Sequence, residues 1–254
     1  MIGNGEVKDL SIAFNYMLDG LNEYVEKLMK LSEEKRLSEI HALQMQINPH
    51  FIYNTLTSIK FMAWQGNKEK QIQTIDAFIQ LLRNTLSNSD EVVAVKREID
   101  NVKNYVQIQT TRYGDKIQVH YFIQEECYEY QVLKMILQPF IENAFFHAFT
   151  GMDQGTIDLF GKVKDDQLIF EIIDTGVGME QIQVKDMLKT SRDKGRHFTG
   201  IGIQNVNDRI QLLYGKGYGV VISSNVGQGT IVTITLPLIK RESHQEKEKS
   251  SFHG

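Results

Sequence analysis

Apolar residues recur along the first third of the chain at alternating steps of four and three: Leu10, Phe14, Met17, Leu21, Tyr24, Leu28 and Leu31. This is a heptad seam, which buries little within one chain and asks for a partner helix, most economically from a second copy. The next set, Leu37, Ile40, Leu43 and Ile47, is out of register with the first. Such a phase break changes local winding and offers a joint. The helix through Ile47 continues past Leu56 and Ile59 to about Trp64, and Gln65-Gly66-Asn67 marks a turn. A second helix follows from about Asn67 to Asn88, with Ile72, Ile75, Ile79, Leu82 and Leu86 on one side. Two helices joined tightly make a hairpin, and two hairpins make a four-helix bundle.

After Ser89-Asp90 the pattern changes. Val95 to Tyr113 reads as a connecting helix, Ile117 to Ile123 alternates like a strand, and a long helix is predicted from about Gln131 to Phe149. Strands at Thr156 to Val163 and Gln167 to Asp174 flank the turn Lys164-Asp165-Asp166. A glycine-rich and charged stretch leads to a helix from about Ile201 to Tyr214. A hairpin closes the pattern, with Tyr218 to Ser224, the turn Asn225 to Gly229, and Thr230 to Leu236. Strands interleaved with helices predict a mixed sheet covered on one face, an α+β sandwich. Lys240 to Gly254 reads as a polar tail.

Composition narrows the function. With 41% hydrophobic and 24% charged residues among 254, the chain can bury a core. Twenty-eight Lys and Arg against 32 Asp and Glu leave a net charge of −4, which argues against a nucleic-acid partner. Cys127 is the one cysteine, so the chain holds no internal disulfide or multi-cysteine zinc site, and a reducing, cytosolic setting fits. No run of about 18 apolar residues and no leader pattern occur.

Five segments carry candidate chemistry. In Gln46 to Asn54, Pro49 breaks the backbone pattern of a helix, His50 follows, and Asn54 lies four residues on, on the same face. An imidazole near its ordinary pKa of about 6.5 is largely neutral at cytosolic pH and can be a nucleophile. Asn54 can hold the ring, an incoming phosphoryl group or a water. In Gln138 to His147, the polar Glu142, Asn143 and His147 interrupt an apolar helix. An amide oxygen from Asn143 with nucleotide phosphates suits magnesium, Glu142 can order the metal's waters, and His147 can reach a phosphate. Asp174 closes a strand and is followed by Gly176 and Gly178, an acid able to accept from an exocyclic amine beside backbone that a base can approach. Gly200 and Gly202 enter a helix, whose first N–H groups bind phosphate, behind a basic loop with Lys189, Arg192, Lys194, Arg196 and His197. Gly227, Gly229 and Thr230 form the fifth segment. No Walker A sequence occurs.

In this order the segments resemble the sensor histidine kinases, in particular the YesM/LytS-like subfamily with its Pro-His-Phe-x-x-Asn box. The resemblance covers about Gln44 to Pro237. It implies a helical-hairpin dimerisation bundle followed by a Bergerat-type (GHKL) ATP-binding domain, an α + α/β sandwich architecture. The implied divisions are a HAMP-like helix and coiled-coil linker over 1–35, the phosphotransfer hairpin over 36–91, the ATP-binding domain over 92–239 and a tail over 240–254. By the same resemblance His50 is phosphorylated and Asn54 belongs to its site. Glu142, Asn143, His147, Asp174, Gly176, Gly178, Gly200, Gly202, Gly229 and Thr230 bind ATP, with Asn143 as the Mg2+ ligand. A homodimer, an aspartate on a response regulator, and membrane anchoring upstream of a cytoplasmic portion complete what it implies. Three positions depart from related patterns. Phe51 stands where many histidine kinases carry an acid, and Phe146 stands where many carry a Lys. Pro139 stands where ATPases of the same nucleotide fold carry a water-activating Glu.

Overall fold

The computed structural model describes residues 17–30, 49–86, 91–188 and 201–240. Contacts divide the chain into two units, Met1–Gln46 and Ile47–Gly254. In the first, residues 17–30 form a helix, α1, on which the seam residues Met17, Leu21, Tyr24 and Leu28 are all exposed. The phase break between Leu31 and Ile47 and the basic loop over 189–200 lie outside the described residues.

The second unit opens with the expected hairpin, α2 (Pro49–Gln65) and α3 (Lys68–Leu86). Gly66 turns the chain with φ of 73°, and the Asn67 side chain caps α3 by accepting the Lys70 N–H at 3.2 Å. Pro49 is the first described residue of α2, so the expected kink within a helix interior lies outside the described residues. Ala77, Phe78 and Leu81 of α3 are buried, and α3 packs on α4 (Val95–Tyr113). The helix read from sequence as a connector is therefore a core element: Val95, Ile99, Val102, Tyr105 and Ile108 are almost wholly buried.

The long helix expected from Gln131 to Phe149 is corrected. Tyr130–Leu133 is strand β3, paired antiparallel to β1 (Val92–Ala94) and β8 (Ile239–Lys240) in a three-stranded sheet. Helix α5 begins only at Gln138 and runs to Asn143. Tyr, Val and Leu suit a half-buried strand, and Pro139 suits the first turn of a helix, where its missing N–H is no loss. The remaining strands, β2 (Ile117–Ile123), β4 (Gly155–Lys164), β5 (Gln167–Asp174), β6 (Gly219–Ser224) and β7 (Thr230–Pro237), form a sheet in the order β2-β4-β5-β7-β6. Only β2 and β4 run parallel. Alternation sends Leu168, Phe170, Ile172 and Asp174 of β5 inward. Helix α7 (Ile201–Tyr214) adds Ile203, Val206 and Ile210 to the same core. A short helix, α6 (Gln181–Leu188), follows the glycine loop and had no clear sequence signal.

Candidate active site

Asp174 ends β5 on the buried face, with 7% of its surface exposed. Its Oδ1 accepts the Gly176 N–H at 2.9 Å. Burial pushes its carboxyl above the usual aspartate range, and the Gly176 N–H together with the Thr230 N–H and hydroxyl pull it partly back. Gly178 and Gly229 have φ of 67° and 77°. A Cβ at Gly178 would enter the Asn225 carbonyl oxygen, and one at Gly229 the Asp174 carbonyl oxygen. These glycines are needed twice over, for conformation and for room. The Ser224 hydroxyl locks the two loops together, donating to the Gly229 carbonyl at 2.8 Å and accepting the Met179 N–H at 2.9 Å. Asp174, Gly176 and Gly178 after β5 and Gly229 and Thr230 at the start of β7 thus form one wall.

Helix α5 meets that wall. After Asn143 the helix widens into a π turn over Ala144–Ala148, a form that gathers at functional sites. The carbonyl of Ala148 accepts the Val177 N–H at 2.7 Å, and a Cβ on Gly176 would run into it. Glu142 and Asn143, both half-buried, are the last residues of α5, and His147 is exposed on the π turn. Partial burial lowers the His147 pKa, so it is neutral at neutral pH. It can accept or donate one hydrogen bond but supplies no fixed positive charge. Gly202 lies in the first turn of α7, where a Cβ would rest 3.6 Å from that of Pro139 at the start of α5. Gly200 lies outside the described residues.

The His50 backbone is in the first described turn of α2, while its side chain lies outside the described residues. Asn54 is half-buried one turn later. Phe51 explains one departure from the family pattern. It is 7% exposed and stacks on Tyr105 of α4 with ring centroids 5.3 Å apart; Tyr105 in turn meets Phe145 of the π turn edge-on at 6.3 Å. The position after His50 serves packing, and it ties α2 through α4 to the turn that follows Asn143. Gln109 donates to the Tyr105 hydroxyl at 2.6 Å.

Sequence reasoning missed Glu98 and Arg209. Glu98 is fully buried on α4, where Oε2 accepts the Met135 N–H at 2.9 Å and Oε1 the Leu137 N–H at 3.0 Å. Arg209 of α7, 3% exposed, donates from Nη2 to the Lys134 carbonyl at 3.0 Å. A signal for Glu98 was present: it sits three residues after Val95, on the apolar stripe, where an acid is rare unless paired.

The family model described as "Histidine kinase" matches residues 38–117, and that described as "Histidine kinase-, DNA gyrase B-, and HSP90-like ATPase" matches residues 129–240. The sensor histidine kinase YesM of Bacillus subtilis (strain 168) is 32% identical over 226 residues, 88% of this chain and 37% of that protein. The sensor protein kinase HptS of Staphylococcus aureus (strain USA300) is 28% identical over 241 residues, 92% of this chain and 45% of that protein. The chain spans less than half the length of these two relatives. Among solved structures, the histidine kinase domain of the Erythrobacter litoralis EL346 blue-light activated histidine kinase aligns at 16% identity. That alignment covers 81% of this chain and 96% of that one, with a TM-score of 0.43. The match of both models, in chain order over the hairpin and the nucleotide fold, and the agreement with YesM along most of the sequence mean that the chain belongs to the histidine kinases.

Proposed function

We propose that the chain is the kinase part of a two-component sensor, which binds ATP with Mg2+, phosphorylates His50 and passes the phosphoryl group to an aspartate of a response regulator. The observation that carries it is Asp174. A buried carboxyl, fixed from both sides by glycine loops that leave no room for a Cβ, suits the exocyclic amine of adenine. Gly202, at the start of α7, and the Gly200 segment before it suit the phosphates. Asn143 has the oxygen donor that Mg2+ prefers, and Glu142 beside it can order the metal's waters. Bound there, the metal would screen the triphosphate's charge. His147 would add a hydrogen bond to a phosphate oxygen.

An imidazole nitrogen of His50 attacks the γ-phosphorus; an N–P bond forms, the bond to the β,γ-bridging oxygen breaks, and ADP leaves. Positioning supplies most of the acceleration in such transfers. Phe51 cannot take the imidazole proton, so it leaves to another base or to water, and Asn54 steadies the ring or the phosphoryl group. The exposed seam of α1 and the exposed Tyr53, Leu56, Phe61 and Trp64 of α2 support a homodimer. Among the described residues no helix is long and apolar enough to cross a membrane. The larger share of YesM and HptS falls outside the match, and we assign membrane anchoring and sensing to such a portion. The test is incubation with γ-labelled ATP. Acid-labile label should appear in the parent chain and vanish in His50→Gln, whose ATP affinity stays the same. Label that persists in His50→Gln would overturn the assignment.

A further inference from the structure

Helix α5 with the π turn that continues it runs only from Gln138 to Ala148, too short to be stable without tertiary support. Its far end is held by the Ala148 carbonyl against the glycine loop. Its near end is held by a different device. The four residues before it, Lys134 to Leu137, form a turn in which Met135 has φ of 60°, a conformation that a non-glycine residue adopts only under constraint. Glu98 supplies the constraint, receiving the N–H groups of Met135 and Leu137 on separate oxygens. Arg209 takes the Lys134 carbonyl of the same turn. The Lys134 N–H is bound by the Glu91 carbonyl. Burial raises the Glu98 pKa, and the Leu137 and Met135 N–H groups, then the Arg209 guanidinium, pull it partly back.

Arg209 is also seven residues, two helical turns, after Gly202, so both lie on one face of α7. One end of that face meets Pro139 on α5 and the other meets the turn before α5.

We propose that Glu98 is a positioning residue of the nucleotide site: with Arg209 it sets where Asn143 on α5 stands relative to Gly202 on α7. Leu137 and Asn143 are about 9 Å apart along the helix axis, so a tilt of about 10° at the turn moves Asn143 by roughly 1.5 Å. Misplacement by about 1 Å can cost on the order of a hundredfold in such sites. The adenine wall has its own hydrogen bonds, through Asp174, Ser224 and Thr230, none of which involves Glu98.

The inference rests on the assignment of Asn143 to Mg2+, and the experiment separates the two. Binding of a non-hydrolysable ATP analogue is measured with EDTA and with Mg2+, in the parent chain and in Glu98→Gln. Affinity in EDTA should stay within about twofold, while the gain from Mg2+ falls by about tenfold or more, the usual scale for groups that orient a metal ligand. A parent chain with no gain from Mg2+ would sink the Asn143 assignment. A parental gain that Glu98→Gln retains in full, or a parallel fall with and without Mg2+, would overturn the positioning role alone. Should Glu98→Gln fail to fold, Glu98→Asp carries the same readings, because it keeps the charge and loses the reach. Failure of both to fold assigns Glu98 to structure only and overturns the proposal.

Discussion

The glycine-loop wall around Asp174 and the helical hairpin are built on opposite terms. At the wall nearly every polar group is answered within the chain: Asp174 by Gly176 and Thr230, Ser224 by Gly229 and Met179, Ala148 by Val177. On the hairpin, Tyr53, Leu56, Phe61, Trp64, Ile72 and Ile79 are exposed, with Trp64 at 75%. One region is finished by its own backbone, and the other presents apolar surface that calls for another chain. A binding pocket must hold its shape before ligand arrives, whereas a signalling bundle must be able to rearrange. Phe51 joins the two, since it belongs to the hairpin and is buried against α4.

The largest effect should come from cutting that join. Phe51→Ala removes a buried ring that stacks on Tyr105 and touches Phe78, at a cost of about 3–5 kcal/mol. For a chain of this size that lowers Tm by roughly 10 °C. Leu56→Ala, at an exposed position five residues on, should leave the monomer's Tm within about 2 °C. Equal shifts for the two variants in thermal melts would show that the hairpin is not anchored through Phe51.

Next in size is Asp174→Asn. The carboxylate accepts the Gly176 N–H on one oxygen, and in the proposed site the other would accept from a base amine. An amide has a single oxygen for two donors, and its NH2 then faces one of them. The loss of a charge-assisted hydrogen bond and this mismatch together predict a fall in ATP affinity on the order of a hundredfold. Unchanged affinity by calorimetry would remove Asp174 from the adenine site.

Leu56→Glu tests the other side of the comparison. If the exposed face of α2 is covered by a second copy, a charge there should weaken self-association by about tenfold or more, judged from the value of burying one Leu. Nucleotide affinity should not change. Sedimentation equilibrium decides, and an unaltered monomer–dimer balance would place the interface elsewhere.

The two regions also differed in how far the sequence revealed them. The wall was legible because its chemistry follows chain order: an acid at a strand end, glycines where the backbone must turn, and a Thr opening the last strand. The helix of α1 was legible because its apolar residues recur at helical spacing, and residues 17–30 form it. What escaped was long-range and local conflict. Gln131–Leu133 read as helix because Gln131 to Phe149 is apolar enough for one, and pairing with Val92–Ala94, about 40 residues earlier, and with Ile239–Lys240, about 110 residues later, makes Tyr130–Leu133 a strand. Glu98 escaped because its partners are backbone N–H groups 37 and 39 residues away, which no side-chain pattern encodes. The role of Phe51 escaped because a packing residue looks, in sequence, like a missing acid.

The smallest effect, and the one that ties binding to stability, is pH dependence at Asp174. Burial raises its folded pKa above the ordinary 3.8. The folded state therefore holds the proton more tightly than the unfolded chain, and the penalty for burying the carboxylate is present at neutral pH. That penalty is relieved as pH falls through the raised pKa towards the ordinary one. Binding should move the other way across the same window, because the protonated acid no longer presents two accepting oxygens. Asp174→Asn carries no such charge, so the difference in Tm between it and the parent should shift in the parent's favour as pH falls through that window. A gap that stays constant with pH would mean that Asp174 is not held in a desolvated setting, and the adenine wall would lose the feature that distinguishes it from an ordinary glycine turn.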